Sequence, residues 1–257
     1  MASDPTITTA QEPPGSREAR FASMAAARLQ ELAETTRNLF LGMETCVLEI
    51  GCGHGHLLTA YAAAHPEKTC IGIDIIADRI TRANRKKNRA RLANVHFINT
   101  SAEDFFAIFP IQIYVSELFI FFPDPWPKRR HHKNRLMQAE FLSKLSRWAT
   151  PGSRLYFRTD FTPYYDDTKA VLNGHPNWDV VPEGAEPWPS EHETVFQARA
   201  PSYQSLIARP KQPTLPTHRP LGPSNQTPPS ETTLEKSVGP NLSRPHLQRD
   251  ISGVDEA

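Results

Sequence analysis

Val47-Leu48-Glu49-Ile50-Gly51-Cys52-Gly53-His54-Gly55 decides the fold. An apolar, partly β-branched run ends in three alternating glycines, and Leu57–Ala64 then continues with helical character until His65–Pro66 stops it. That is a strand, a tight turn and a helix. Glycine has no Cβ, so it turns the chain sharply and lets a ligand approach the backbone. The rhythm repeats downstream. Strands are expected at Thr69–Asp74, Val95–Asn99, Glu117–Phe122 and Arg154–Arg158, with a basic helix over Asp78–Leu92 and further helices over Asn134–Trp148 and Tyr164–Leu172. Trp178–Val181 and Tyr203–Ala208 close the series with no obvious helix between them, which predicts an antiparallel terminal hairpin. Upstream, Ser16 reads as the N-cap of a helix that packs through Phe21, Ala25, Leu29, Leu32 and Leu39. The expected fold is α/β: a doubly wound, seven-stranded, mostly parallel sheet within residues 16–210. Residues 1–15 and the Pro/Ser/Thr-rich residues 211–257 are expected to be disordered, since they cannot bury enough surface to offset ordering.

The 257 residues carry a formal net charge of +1, so charge alone selects no partner. That average conceals two basic runs. Asp78–Arg91 holds seven basic residues against one acidic, and Lys128–Arg135 holds five against none. Solvated helix faces often look like this, but basic patches on a near-neutral body also suit a surface that tracks phosphates. Cys46, Cys52 and Cys70 sit in apolar or glycine-rich surroundings, as reduced thiols do. Cys52, His54 and His56 alternate in a tight loop and would point different ways, so no metal is expected. The polar first fifteen residues lack a signal-like segment and no apolar run reaches membrane-spanning length. A cytoplasmic protein, off the membrane and without an obligate partner subunit, is therefore expected.

In open α/β sheets the ligand sits beyond the carboxyl ends of the strands, where strand order switches. Asp74 ends the second strand there and can accept both hydroxyls of a ribose. A dinucleotide fingerprint needs glycine at position 56, where this chain has His56, which disfavours an NAD(P) oxidoreductase. Glu49, beside the turn, can instead hold an amino group. The Glu49–Asp74 pair suits S-adenosylmethionine, lying against Gly51 and Gly53. Ser101 and Ala102, after the third strand, are placed to border its adenine, and the apolar Ile75 to stack on its face.

Phe121-Phe122-Pro123-Asp124-Pro125-Trp126-Pro127-Lys128-Arg129-Arg130-His131-His132-Lys133 follows the fourth strand, at the same edge. Alternate prolines restrict the backbone around Asp124 and Trp126. A fixed carboxylate beside a large aromatic, near a methyl donor, suits a base-binding pocket. Arg79, Arg82, Arg85, Lys86, Lys87 and Arg89, with Lys128, Arg129, Arg130 and Lys133, would follow a nucleic-acid backbone.

From about Glu44 to Ala208 the chain resembles the bacterial tRNA (guanine-N7)-methyltransferase family. The resemblance rests on Phe121–Lys128 followed by Arg130–His131, with support from Leu48–Gly51, Gly72–Asp74, Thr159–Asp160 and Glu193–Phe196. It implies a Rossmann-like methyltransferase fold, S-adenosylmethionine as cofactor, and methylation of the guanosine at position 46 in the variable loop of tRNA. It further implies cofactor contacts for Glu49, Asp74 and Ser101, and for Asp124 a catalytic role together with a cofactor contact. Lys128, Asp160, Thr194, Val195, Phe196 and Gln197 match substrate-contacting positions. Four residues depart from the family pattern: Asp74 and Gln197 stand where Glu is usual, Ser101 where an acid or amide is common, and Asn134 where Arg is usual. Rival readings are an amino-group methyltransferase acting on adenine or glutamine, and an RNA-binding protein that keeps the fold without turnover. The basic run behind Asp124 and the intact Glu49–Asp74 set favour guanine methylation.

Overall fold

Seven strands and six α-helices organise the computed structural model, which describes residues 17–189, 200 and 202–211. These residues belong to one unit, Met1–Thr217; the second, His218–Ala257, lies outside them. After α1 (Arg17–Phe40) the chain alternates through β1 (Thr45–Ile50), α2 (His56–Ala64), β2 (Cys70–Asp74), α3 (Ala77–Ala90), β3 (Val95–Asn99), α4 (Ala102–Ile108) and β4 (Tyr114–Phe121). It continues with α5 (Ala139–Leu145), β5 (Arg154–Thr159), α6 (Thr162–Gly174), β6 (Trp178–Val180) and β7 (Gln204–Pro210). The sheet order is β3-β2-β1-β4-β5-β7-β6. β1 to β5 pair in parallel, while β7 runs antiparallel to both β5 and β6, so the expected terminal hairpin is present. Strand order runs outward in both directions from β1 and β4, which opens a crevice at their carboxyl ends.

Successive residues of a strand face opposite sides of a sheet. Val47 therefore joins Leu58, Tyr61 and Phe119 on one face, and Leu48 joins Ile71, Phe105 and Leu155 on the other. Both faces are covered by helices, which is why β1 is apolar almost throughout rather than alternating.

Several expectations need correction. The sequence reading passed over α4, although Ser101-Ala102-Glu103-Asp104 carries its signal: the Ser101 hydroxyl accepts the Asp104 N–H at 3.0 Å and caps the helix. The Asp104 carboxylate takes both ends of the Arg28 guanidinium at 2.9 and 3.0 Å, tying α4 to α1. Phe21, expected on the packed face of α1, is 58% exposed; burial on that helix centres on Leu32 and Thr36. The single helix expected over Asn134–Trp148 is instead a 3₁₀ turn at Arg129–Asn134, non-helical residues 135–138, α5, and a second 3₁₀ turn at Ser146–Trp148. The interruption has a physical cause. Arg135 turns inward to bond Pro125 and Asp167, and the Met137 N–H is satisfied by the Tyr164 hydroxyl at 3.1 Å rather than by a helical carbonyl. β4 also begins three residues before its expected start, pairing with β1 across a register shift at Cys46/Val47. The disorder expected for residues 1–15 and from 211 onward falls outside the described residues, apart from Lys211.

Candidate active site

Ile50 pairs with Ile73 and Ile120, and Ile120 with Phe157, so β1, β2, β4 and β5 end along one edge. Beyond that edge lie the Gly51–Gly55 turn, Asp74, the loop holding Asp124, and Asp160. Sequence positions far apart are brought to one crevice by parallel pairing alone.

The glycines of the turn divide into two kinds. Gly51 and Gly53 have φ values of 77° and 54°, and a Cβ built on either would meet nothing within 4 Å. There the backbone faces open space that a ligand can occupy. Gly55 also has positive φ, but its Cβ would lie 2.5 Å from Phe97 and 2.9 Å from Ala83. It serves the contact between turn and sheet, not ligand approach.

Glu49 is buried beneath this turn. Its carboxyl group accepts a backbone hydrogen bond from Leu58, while Oε2 has no partner. Burial, and next the charge of Asp74, push its pKa up to about 8. A buried ionised carboxylate with an orphan oxygen is costly, and an arriving ammonium group would supply both a counter-charge and donors. Asp74 is also buried, and its two oxygens accept the Gly53 N–H at 3.0 Å and the Ile76 N–H at 2.8 Å. Arg79 stands 3.5 Å from Oδ2. The carboxylate thus braces the turn. With two of its roughly four acceptor sites used, it retains capacity for hydroxyl donors.

Ser101 spends its oxygen on capping α4, so its role in this structure is structural first. With Ile75, which is 70% exposed, and Thr100, it lines a cavity of about 900 Å³ that reaches Arg28 and Leu32 of α1.

Asp124 is exposed in an irregular loop between Phe122 and Trp126. Those two residues have φ of 51° and 44°, a left-handed conformation that side chains disfavour. Such outliers cluster at functional sites, held by their surroundings. Trp126 is not core: it is 36% exposed, with its ring edge-on to His131 at 5.8 Å. The support comes from Arg135, a residue the sequence reading did not single out. Its side chain is almost wholly buried; Nε donates to the Pro125 carbonyl at 2.9 Å, Nη1 pairs with Asp167, and the guanidinium stands 4.9 Å from the Tyr164 ring centre. One charge among five in a basic run gives no sign that it alone turns inward. Lys128 and Asp160 are exposed at the same edge. Thr194, Val195, Phe196 and Gln197 lie outside the described residues.

Cys46, Cys52 and Cys70 are free and buried, and burial raises the pKa of each thiol. The His54 and His56 rings are 6.2 Å apart, and among the described residues no group of three His, Cys, Asp or Glu is placed to hold a metal ion. No helix among those residues is long and apolar enough to cross a membrane.

A family profile described as "Putative methyltransferase" matches residues 43–206. Curated relatives carry the name tRNA (guanine-N(7)-)-methyltransferase. The Treponema pallidum protein is 38% identical over 154 residues, 60% of this chain and 61% of its own length. The Hyphomonas neptunium protein is 35% identical over 160 residues, 61% of this chain and 73% of its own. The Streptomyces coelicolor protein is 34% identical over 169 residues, 65% and 61% respectively. This chain thus spans about three fifths of the Treponema and Streptomyces relatives. Among solved structures, the crystal structure of PH0851 shares the fold, with a TM-score of 0.50 and 18% identity over 69% of this chain and 45% of that one.

Proposed function

The chain belongs to the tRNA (guanine-N7)-methyltransferase family, and from that premise we propose that it methylates N7 of guanosine at position 46 in the variable loop of tRNA, using S-adenosylmethionine. One observation carries this reading: a buried carboxylate with an orphan oxygen, Glu49, lies beneath an open glycine turn on the sheet edge that also presents Asp124.

The residues fit the cofactor. Glu49 would take its amino group, Asp74 its ribose hydroxyls, and Gly51 and Gly53 would let it lie against the turn. Thr100 and Ser101 would border the adenine. When bound, S-adenosylmethionine supplies an electrophilic methyl group on its sulfonium.

Guanine N7 offers a lone pair and bears no proton, so no side chain must act as a base. Asp124 is then an orienting and electrostatic residue: it fixes the guanine and offsets the positive charge that the methylated ring acquires. Asp160 helps to hold the base or its ribose, and Lys128 contacts a flanking phosphate. Thr194–Gln197 complete the substrate contacts. The reaction belongs in the cytoplasm, where tRNA is.

Digestion of tRNA to nucleosides after incubation with enzyme and cofactor tests this directly. The expected product is 7-methylguanosine, identified by mass and retention. A methylated adenosine would transfer the chain to the amino-group class, and no methylated nucleoside would leave an RNA-binding protein.

A further inference from the structure

We propose that the cavity between the glycine turn and the outer face of α3 binds a phosphate of the substrate RNA backbone, as an anchor apart from the base pocket; this rests on the tRNA substrate proposed above. The cavity has a volume of about 720 Å³. It is lined by His54 from the turn, His56 at the start of α2, and Arg82, Arg85, Lys86 and Arg89 from α3. The carboxylate on its rim, Asp78, is already held by Arg82 at 2.9 Å.

The helix concentrates like charges on this face. Arg82 and Arg85, Arg82 and Lys86, Arg85 and Arg89, and Lys86 and Arg89 are three or four residues apart, where like charges sit side by side and weaken a helix. The helix dipole favours cations only in the last turn. That accounts for Arg89, and Asp78 answers Arg82, but neither accounts for Arg85, which sits mid-helix. Lys86 adds an independent sign: its ammonium nitrogen is shielded from solvent and has no hydrogen-bond partner, and burial lowers its pKa.

An anion supplies what is missing. Guanidinium groups match phosphate oxygens in paired hydrogen bonds, which favours phosphate over a smaller ion. His54 belongs to the same turn as Gly53 and His56 follows it at the start of α2, so RNA whose base reaches the carboxyl edge of the sheet brings its backbone past this cavity.

The test is fluorescence anisotropy with an unmodified tRNA transcript, comparing the wild type with Arg85→Gln/Arg89→Gln over a series of NaCl concentrations. The double variant should bind about tenfold more weakly at low salt. Its plot of log affinity against log salt should be shallower by about 1, since one phosphate contact contributes roughly 0.9 to the slope. Calorimetric affinity for S-adenosylmethionine should be unchanged, which checks folding. If the double variant is unstable, Arg85→Gln alone gives the same reading with half the change. Slopes equal to the wild type, with normal methyl transfer, overturn this site alone; a wild type that binds no transcript overturns it together with the tRNA assignment. Inorganic phosphate at constant ionic strength gives the remaining arm. If it raises the melting temperature of the wild type but not of the variant, while the tRNA slopes coincide, the cavity is a free-phosphate site and the RNA assignment fails.

Discussion

Asp124 is suspended between two aromatic residues in left-handed conformations, Phe122 and Trp126, each costing about 1–2 kcal/mol. The fold supports that strain through Arg135, whose guanidinium grips the Pro125 carbonyl from inside. The arrangement makes Asp124 a placed charge. Asp124→Ala should therefore lower turnover by about 10²-fold or more, while calorimetry finds cofactor affinity within about twofold of the wild type. Near-normal methyl transfer by this variant would remove Asp124 from the mechanism. At this scale the sequence was informative where an ionisable residue adjoined a backbone motif. Glu49 and Asp74 stood out because an acid beside a glycine turn needs a ligand or a loop to hold. Ser101 caps α4, a task that the Ser101–Asp104 spacing signals and that the sequence reading passed over. Arg135 was illegible because the direction of a charged side chain depends on Tyr164 and Asp167, some thirty residues away.

Among the elements, every strand but β4 was readable to within about two residues, since a run buried on both faces must be apolar along its length. Helix ends were harder. α3 stops at Arg91, which adopts φ 55° as its C-cap, with its N–H bonded to Lys87 and Asn88 and the Leu92 N–H to Lys87. Glycine is the usual residue in that position. Arg91→Gly should relieve the left-handed penalty and stabilise the fold by about 1 kcal/mol, measured as a higher midpoint in urea. An unchanged or lower midpoint would mean that Arg91 makes contacts worth as much as the strain. The break at residues 135–138 shows a stronger limit of local reading. A stretch with helical composition gave up its continuous ladder because tertiary bonds from Arg135 and Tyr164 offered more.

For the molecule as a whole, Glu49 links folding to pH. Its pKa is about 8 in the folded protein against an ordinary value of 4.5, so between those values the folded state binds the extra proton. The stability it contributes is full below the lower value and is lost as pH rises through the upper one. Thermal unfolding of the wild type and Glu49→Gln should show the wild type falling behind from about pH 5 to about pH 8, with a constant gap above. Parallel curves would mean that the group is ionised throughout. Fold class was legible because strand–turn–helix periodicity repeats along the chain, whereas the site's finer wiring depends on pairings that sequence does not display. The Asp74 carboxylate clasps the Gly53 and Ile76 amides through bonds internal to the chain. The first turn is thus already shaped when a small molecule arrives, and little ordering remains to be done on contact. Capture should then be paced by diffusion into the crevice rather than by rearrangement around the guest.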